Sequence, residues 1–276
     1  MDYKIFVIKF LKKSKIIMKV SIITVCYNAE NTIENTIKSV IAQTYENIEY
    51  IVIDGASTDN TLKIIDFYKE NIRYFISEHD TGIYNAMNKA IKASTGNVLY
   101  FLNANDYLFD ENVIKEVVKH FEKTGAKIIF GDMSFIKETG EEKERRSFEL
   151  ADKLFLTSEN LCHQGIFYKK DVFEICGLYN EKYKLLADYD LNLKAIIKNK
   201  LKTRHIPITI AKFTLEGQSN SEKLRELQES EKKEILNKYF KPYHFKVNKI
   251  LNKTFRSIAK SHMPRKFIGQ IFKFSF

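Results

Sequence analysis

Asp106 closes the segment FLNAND, residues 101–106, in which a hydrophobic strand pattern stops at two asparagines and one aspartate. A parallel sheet opens onto its ligand crevice at the carboxyl ends of its strands, so a carboxylate in this position is a candidate ligand-binding group. Taken alone, an aspartate here is more often a turn former or a helix cap. The elements around Asp106 therefore decide between the two interpretations.

The apolar periodicity of the chain predicts alternating strands and helices. The predicted strands span residues 20–25, 48–54, 72–77, 97–103, 127–131 and 164–168, with a final strand pair at 202–206 and 208–215. Alternation of this kind is typical of an α/β fold with a mostly parallel, Rossmann-like sheet flanked by helices. The charged run at residues 137–146 predicts a solvated hairpin or loop, and residues 221–239 predict a charged helix.

Polar loops follow four of the predicted strands, at residues 24–28, 54–59, 80–88 and 103–106. Because the carboxyl ends of parallel strands meet at one edge of a sheet, we expect these loops to build a single site. The sequence contains neither the G-x-G turn of dinucleotide-binding folds nor a G-x-x-x-x-G-K phosphate loop. A divalent cation held by a carboxylate is another way to bind a diphosphate, and Asp106 is the candidate for holding it.

These motifs, in this order, resemble those of the family 2 glycosyltransferases, inverting nucleotide-sugar enzymes of GT-A fold, and in particular their surface-polysaccharide, colanic-acid-type branch. The resemblance runs from about residue 19 to about residue 219. It implies that Tyr27 packs on the nucleotide base, that Asp54 reads the uracil edge and that Asp80 lines the ribose and diphosphate. Asn88 belongs to the same donor-binding segment, at the start of a helix whose N-terminus favours anionic groups.

The resemblance also places residues 103–106 at the family's D-x-D-like metal motif. It implies that Asp106 is the direct ligand of Mg²⁺ or Mn²⁺, and that Asn103 and Asn105 contact the donor. Asn105 stands where the family usually has a second aspartate, so this site has one carboxylate rather than two. We therefore expect a metal-dependent enzyme whose metal affinity is lower than that of a two-carboxylate site.

Asp188 matches the catalytic base of the family's E-D motif, with Ala187 in place of the acid. An inverting transfer needs a base that takes the proton from the acceptor hydroxyl. The structural alternative for Asp188 is a favourable charge at a helix start. His163 and Gln164 resemble an H-Q element of this subgroup and are assigned only to the wall of the site. Gly55, like Asn105 and Ala187, stands where the family usually has an acid. These replacements leave open the alternative that the chain is a non-catalytic interaction protein that retains the fold.

The formal net charge of +10 is concentrated at the C-terminus, where residues 241–276 carry nine Lys or Arg and no acid. Aromatic residues interleave with these cations, as in segments that lie on anionic membranes, although a helix packed on the body is an equal alternative. No nucleic-acid-binding motif is present, so nucleic acid is not an expected partner. No apolar run reaches the roughly 18 residues of a membrane span. Three cysteines without a C-x-x-C spacing fit a reducing cytoplasm.

The sequence thus predicts a possible N-terminal extension at residues 1–17, a GT-A domain at 18–220 and a basic helical appendage at 221–276. The expected activity is inverting transfer of a sugar from a nucleotide-sugar donor, of which a UDP-sugar is the first candidate. The expected acceptor is a hydroxyl of a glycan or of a lipid-linked oligosaccharide in surface-polysaccharide biosynthesis. The expected location is the cytoplasm, with peripheral attachment to the inner face of the cell membrane. Non-catalytic binding at a membrane surface is the alternative.

Overall fold

The structure, a computed structural model, describes residues 17–136, 142–145, 155–214 and 222–244. Apart from Ile17, the extension predicted at residues 1–17 lies outside the described residues, as do most of the basic tail and the turn of the predicted hairpin. Among the described residues, no helix has the length and apolarity that crossing a bilayer requires.

A nine-stranded sheet forms the centre of the fold. Its strands are β1 (Val20–Cys26), β2 (Ile48–Asp54), β3 (Tyr74–Ser77), β4 (Val98–Phe101), β5 (Asp106–Leu108), β6 (Ile128–Ile136), β7 (Glu142–Arg145), β8 (Ile166–Lys169) and β9 (Thr203–Thr214). The order across the sheet is β3-β2-β1-β4-β8-β6-β9-β5, and β7 pairs with β6. The α/β, Rossmann-like fold class predicted from the sequence is confirmed.

Helices pack on the sheet because each has one apolar face. They are α1 (Ile33–Ile41), α2 (Thr61–Phe67), α3 (Ile83–Ala93), α4 (Val113–Thr124), α5 (Asp171–Cys176), α6 (Ala187–Leu193) and α7 (Glu222–Tyr239). In α3, for example, Tyr84, Met87 and Ile91 are buried at spacings of three and four residues. Shorter helical turns lie at Lys69–Asn71, Phe155–Thr157, His163–Gly165 and Lys194–Lys198.

The first four strands of the order are parallel, since β1 pairs with both β2 and β4 and β2 pairs with β3. Their carboxyl ends therefore lie at one edge, which is the arrangement that the polar loops predicted. Beyond β4 the sheet is mixed. β8 runs antiparallel to both β4 and β6, whereas β6 and β9 are parallel. Antiparallel pairing brings the segment before β8 to the same edge as the end of β4.

Two details of the strand prediction were wrong. The expected strand pair at residues 202–206 and 208–215 is one strand, β9, whose pairing with β6 shifts register around Asp132. Pro207 cannot donate to a ladder, and the irregular pairing accommodates it without ending the strand. Residues 103–106 do follow a strand, β4, but Asp106 also begins a short strand that was not predicted, β5, in which it pairs with Phe213 of β9. A strand of three residues is too short to leave a periodic signal.

Hydrophobic clusters cover both faces of the sheet. On β1, Ile23 belongs to one cluster and Ile22 to the other, as expected where successive residues point to opposite faces. The cluster that contains Ile23 also includes Ile235 and Leu236 of α7. The described part of the C-terminal region thus packs on the core of the α/β domain, while the predicted boundary at residue 220 stays a prediction.

Candidate active site

Asp54 ends β2, and its side chain is fully buried. Its Oδ2 atom accepts hydrogen bonds from the Ser57 backbone N–H at 2.9 Å and from the Ser77 hydroxyl at 2.6 Å. The Ser57 hydroxyl donates to Oδ1. Asp54 therefore fixes the turn after β2 and ties it to β3. The contact of Asp54 with a uracil edge stays a prediction, because the contacts of its carboxylate here are with the protein itself.

The side chains of Tyr27 and Asp80 both lie close to Gly55. A Cβ atom added to Gly55 would lie 2.8 Å from Asp80 Oδ2 and 3.4 Å from the Tyr27 ring. Gly55, where the family usually has an acid, therefore lets the two side chains approach each other. Tyr27 is 63% exposed, and Asp80 Oδ1 accepts a hydrogen bond from the Gly82 N–H at 2.8 Å. An exposed aromatic ring beside a carboxylate suits the predicted contacts with a base and a ribose.

Asn88 is buried on α3 and joins this helix to the segment that precedes α6. Its Nδ2 donates to the Tyr179 carbonyl oxygen at 3.0 Å and to Glu181 Oε1 at 2.7 Å. Its Oδ1 accepts from the Tyr179 N–H at 2.9 Å. Both amide N–H groups are therefore occupied within the protein, so Asn88 holds two elements together. Its position lends no support to the predicted contact with the donor.

Asp106 is 4% exposed at the start of β5. Its backbone N–H donates to the Asn103 carbonyl oxygen at 2.9 Å, and its own carbonyl oxygen accepts from the Thr36 hydroxyl at 2.7 Å. Burial raises the pKa of the Asp106 carboxyl from 3.8 to about 7, and a hydrogen bond from Gln164 opposes this rise. Near neutral pH, a divalent cation would therefore compete with a proton for this carboxylate.

The oxygen atoms near Asp106 fit a hard divalent cation that is shared with a diphosphate. Within the described ranges, no three His, Cys, Asp or Glu side chains converge, so the protein offers no complete cage. The Asn103 Oδ1 atom is buried without a hydrogen-bond partner, which makes it a second oxygen donor. Asn105 is half-buried in the same turn. Mg²⁺ is commonly bound by one or two carboxylates together with substrate phosphates, and this donor set matches that pattern.

Asp188 is the second residue of α6 and is 8% exposed. Its Oδ1 lies 3.0 Å from the Tyr84 hydroxyl, and its Oδ2 accepts from Asn160 Nδ2 at 2.7 Å. Both hydrogen-bond donors are uncharged. Burial raises the pKa of the Asp188 carboxyl, and the nearby His163 ring opposes this rise. A carboxylate with a raised pKa is a better proton acceptor than an ordinary surface aspartate.

A cavity of about 30 Å³, large enough for one or two water molecules, lies against Asp188. It is lined by Ile83, Tyr84, Met87, Phe101, His163, Tyr179 and Asp188. His163 lies 2.9 Å, Nε2 to Nδ2, from Asn103, and the next residue, Gln164, contacts the Asp106 carboxyl. Two adjacent residues thus connect the predicted metal ligand with the predicted base. This chain of contacts links Asp106 and Asp188, which are 82 positions apart in the sequence.

Several residues of this site were not assigned from the sequence. Tyr84 and Asn160 were missed because their contacts with Asp188 join residues far apart in the chain. His163 and Gln164 were assigned only to the wall, although they connect the two halves of the site. The H-Q pair directly before a strand was the one sequence signal that pointed to them.

The sequence model described as "Glycosyl transferase family 2" matches residues 21–176, more than half of the chain. The chain belongs to glycosyltransferase family 2. It is therefore a transferase that moves glycosyl groups, and the alternative of a non-catalytic interaction protein is set aside. The matched range includes all of the predicted donor and metal residues from Tyr27 to Asp106 and ends before Asp188.

Two curated relatives are similar to this chain in sequence. A "PGL/p-HBAD biosynthesis glycosyltransferase" of Mycobacterium bovis is 32% identical over 197 residues, which cover 70% of this chain and 75% of the relative. The Escherichia coli "UDP-Glc:alpha-D-GlcNAc-diphosphoundecaprenol beta-1,3-glucosyltransferase WfgD" is 35% identical over 118 residues, 42% of this chain and 46% of that protein. Both relatives are thus named as glycosyl-transferring enzymes.

Solved structures support the fold. The crystal structure of S. aureus TarS, residues 1–349, in complex with UDP-GlcNAc superimposes with a TM-score of 0.64 and 19% identity. The superposition covers 80% of this chain and 71% of that structure. At this identity the similarity establishes the GT-A type of fold and does not identify the substrate.

Proposed function

We propose that this glycosyltransferase moves a sugar from a UDP-sugar to a hydroxyl of a lipid-linked glycan, with inversion at the anomeric carbon. The observation that carries the proposal is the connection between Asp106 and Asp188 through Gln164 and His163. It brings a group suited to a diphosphate-bound cation near a group suited to proton abstraction. The UDP-GlcNAc bound to TarS and the UDP-Glc in the name of WfgD support the choice of donor.

Donor binding is assigned to the parallel edge of the sheet. The exposed ring of Tyr27 offers a stacking surface for the base, and Asp80 lies beside it for the ribose hydroxyls. Asp106, with Asn103 and Asn105 in the same turn, would hold Mg²⁺ or Mn²⁺ against the diphosphate. When bound, such a cation neutralises the charge that develops on the departing UDP.

Asp188 is assigned as the general base. Its carboxylate takes the proton of the acceptor hydroxyl while the acceptor oxygen forms a bond with the anomeric carbon. The bond between that carbon and the diphosphate oxygen breaks, and its electron pair leaves with UDP. The hydrogen bonds from Tyr84 and Asn160 hold both carboxylate oxygens in place, and the cavity beside them gives the acceptor hydroxyl access.

Nucleoside-diphosphate release from a donor panel tests this proposal. We expect Mn²⁺-dependent UDP release from UDP-glucose or UDP-N-acetylglucosamine, faster with a synthetic GlcNAc-diphospholipid acceptor and lost with EDTA. GDP-mannose and dTDP-glucose serve as controls for the nucleotide. Release from a GDP-sugar alone would overturn the donor assignment, and undiminished release in EDTA would overturn the role assigned to the metal.

The basic tail is assigned to an anionic membrane surface, where a lipid-linked acceptor would be found. The charge and aromatic pattern of residues 241–276 supports this assignment. We expect the full chain to sediment with phosphatidylglycerol vesicles and not with neutral phosphatidylcholine vesicles. Because each cation contributes about 1 kcal/mol at such a surface, reversing Arg265 and Lys266 to Glu should weaken binding at least ~10-fold. The control reverses Lys123 and Lys223, which are exposed on the body; equal losses would refute a special role of the tail.

A further inference from the structure

Glu231 of α7 accepts three backbone hydrogen bonds from one turn of the chain. The N–H groups of Lys184, Leu185 and Leu186 donate to its carboxylate oxygens at 2.6, 3.0 and 3.0 Å. Glu231 is only 6% exposed. Three backbone N–H donors that converge on one buried carboxylate fix the position of that turn, because hydrogen bonds to a charged acceptor are strong.

The turn held by Glu231 leads directly into α6, where Asp188 is the second residue. The Tyr84 hydroxyl lies 3.0 Å from the Leu185 carbonyl oxygen and 3.0 Å from Asp188 Oδ1. The same hydroxyl therefore contacts both the fixed turn and the carboxylate. A displacement of the turn would change the position of the Asp188 carboxylate as well.

Further contacts of α7 hold two segments next to Asp188 in the structure or in the chain. Lys238 Nζ and the Tyr239 hydroxyl donate to Asp190 Oδ1 at 2.8 and 2.9 Å, which holds α6 itself. Lys232 Nζ donates to the Ser158 carbonyl oxygen at 2.6 Å, two residues before Asn160, the other partner of Asp188. We call these four residues, Glu231, Lys232, Lys238 and Tyr239, the α7 clamp.

We propose that α7 belongs to the catalytic machinery, with Glu231 as a positioning residue that sets the orientation of the Asp188 carboxylate through the turn at residues 184–186. This inference rests on the proposed function, in which Asp188 is the base. Sequence reasoning treated residues from 221 onwards as an appendage, whereas the clamp makes α7 necessary for the geometry of the base. The family usually has an acid where this chain has Ala187, and the carboxylate that contacts this turn is that of Glu231 on α7.

The test compares Glu231→Gln with Glu234→Gln. Glu234 lies on the same helix and contacts Lys182 Nζ and the Tyr183 hydroxyl, but it accepts no backbone N–H of the turn. In Glu231→Gln one of the two carboxylate oxygens becomes an N–H₂ group that cannot accept, so at least one of the three backbone donors loses its partner and the hold on the turn weakens. Ile235 and Leu236 still keep α7 on the core. We expect kcat for UDP release from the active UDP-sugar in Mn²⁺ to fall about 10-fold or more, with an unchanged donor KM.

Hydrogen exchange separates positioning from a general loss of structure. In Glu231→Gln the amides of residues 184–186 should exchange faster, while those of β1 and β4 keep their protection. Glu234→Gln should resemble the wild type in both measurements. Glu231→Asp keeps the charge with a shorter side chain, so its kcat and its exchange rates at residues 184–186 should lie between those of the wild type and of Glu231→Gln. If Glu231→Gln does not fold, Glu231→Asp takes its place in the test.

The outcomes also separate this inference from the proposed function. A wild-type kcat in Glu231→Gln together with a large loss in Asp188→Asn would overturn the clamp and leave the base assignment intact. An active Asp188→Asn would overturn the base assignment and the clamp with it. Equal losses in the Glu231 and Glu234 variants would show that α7 contributes only by docking, which also overturns the role given to Glu231.

Discussion

Replacing Asp106 by Asn is expected to abolish Mn²⁺-dependent UDP release and, at the same time, to stabilise the folded protein above pH 7. Loss of activity follows because Asp106 supplies the one carboxylate of the predicted metal site, and a neutral amide oxygen attracts a divalent cation less strongly than a charged carboxylate. Stabilisation follows because the folded-state pKa of about 7 lies above the ordinary 3.8, which means that burial disfavours the ionised carboxylate. Above pH 7 the folded wild type carries this unfavourable buried charge, and the variant, with a neutral amide, does not.

The sign of this pH effect is fixed by the raised pKa. Wild-type stability should fall as the pH rises from about 4 to 7 and stay reduced above 7, where the buried carboxylate is ionised. The difference between a pKa of about 7 and 3.8 corresponds to at most ~4 kcal/mol at pH 8. Asp106→Asn removes this cost, so its melting temperature at pH 8 should exceed that of the wild type by several degrees, with little difference at pH 4.

Thermal unfolding at pH 4 and pH 8, with EDTA present, measures this effect. Asp66→Asn, at an exposed position on α2, is the control and should not change the difference between the two pH values. If Asp106→Asn retains metal-dependent UDP release, another group holds the metal. If the variant is less stable than the wild type at pH 8, the inference that Asp106 carries an unfavourable buried charge is wrong.

Replacing Asp188 by Asn is expected to lower the rate of UDP release about 10²- to 10⁴-fold, the usual contribution of a general base. Asparagine keeps the size of the side chain and can still accept from Tyr84, so the affinity for UDP should be unchanged. Because burial raises the pKa of Asp188, the wild-type rate should rise with pH through a value above that of an ordinary aspartate.

Steady-state rates as a function of pH, together with calorimetric titration of UDP, check the role of Asp188. Tyr84→Phe is the matched comparison, since it removes one hydrogen bond to the carboxylate and leaves the carboxylate in place. It should cost much less than Asp188→Asn. A similar loss in both variants, or weaker UDP binding in Asp188→Asn, would mean that the residue contributes to donor binding instead.

The sequence was sufficient to predict the parallel part of the sheet and the loops at its carboxyl edge. Alternating apolar patterns identified the parallel strands, and the crevice rule placed the loops after β1, β2, β3 and β4 together. Both the pattern and the rule depend on local sequence and on the handedness of strand–helix connections. This is why they succeed for residues 20–103, where the strands β1 to β4 pair in parallel with one another.

The surroundings of Asp188 could not be predicted in the same way. Its partners Tyr84 and Asn160 come from different parts of the chain. Glu231 lies 43 positions after Asp188, in a helix whose many charged residues predict exposure to solvent. Nothing local marks Glu231 as buried, because its burial results from three backbone donors of a distant turn. Likewise, Asp54 and Asn88 fit the family's donor motif in sequence, while their hydrogen bonds here are to the protein itself.

The anomeric configuration of the first product tests the central claim most directly. The sugar released by hydrolysis of an α-linked UDP-sugar can be followed by proton NMR before it mutarotates, so no acceptor has to be known. A single displacement in which Asp188 activates the incoming oxygen predicts the β anomer as the first product, lost in Asp188→Asn. The α anomer as the first product would contradict inversion and the role of Asp188 as the base.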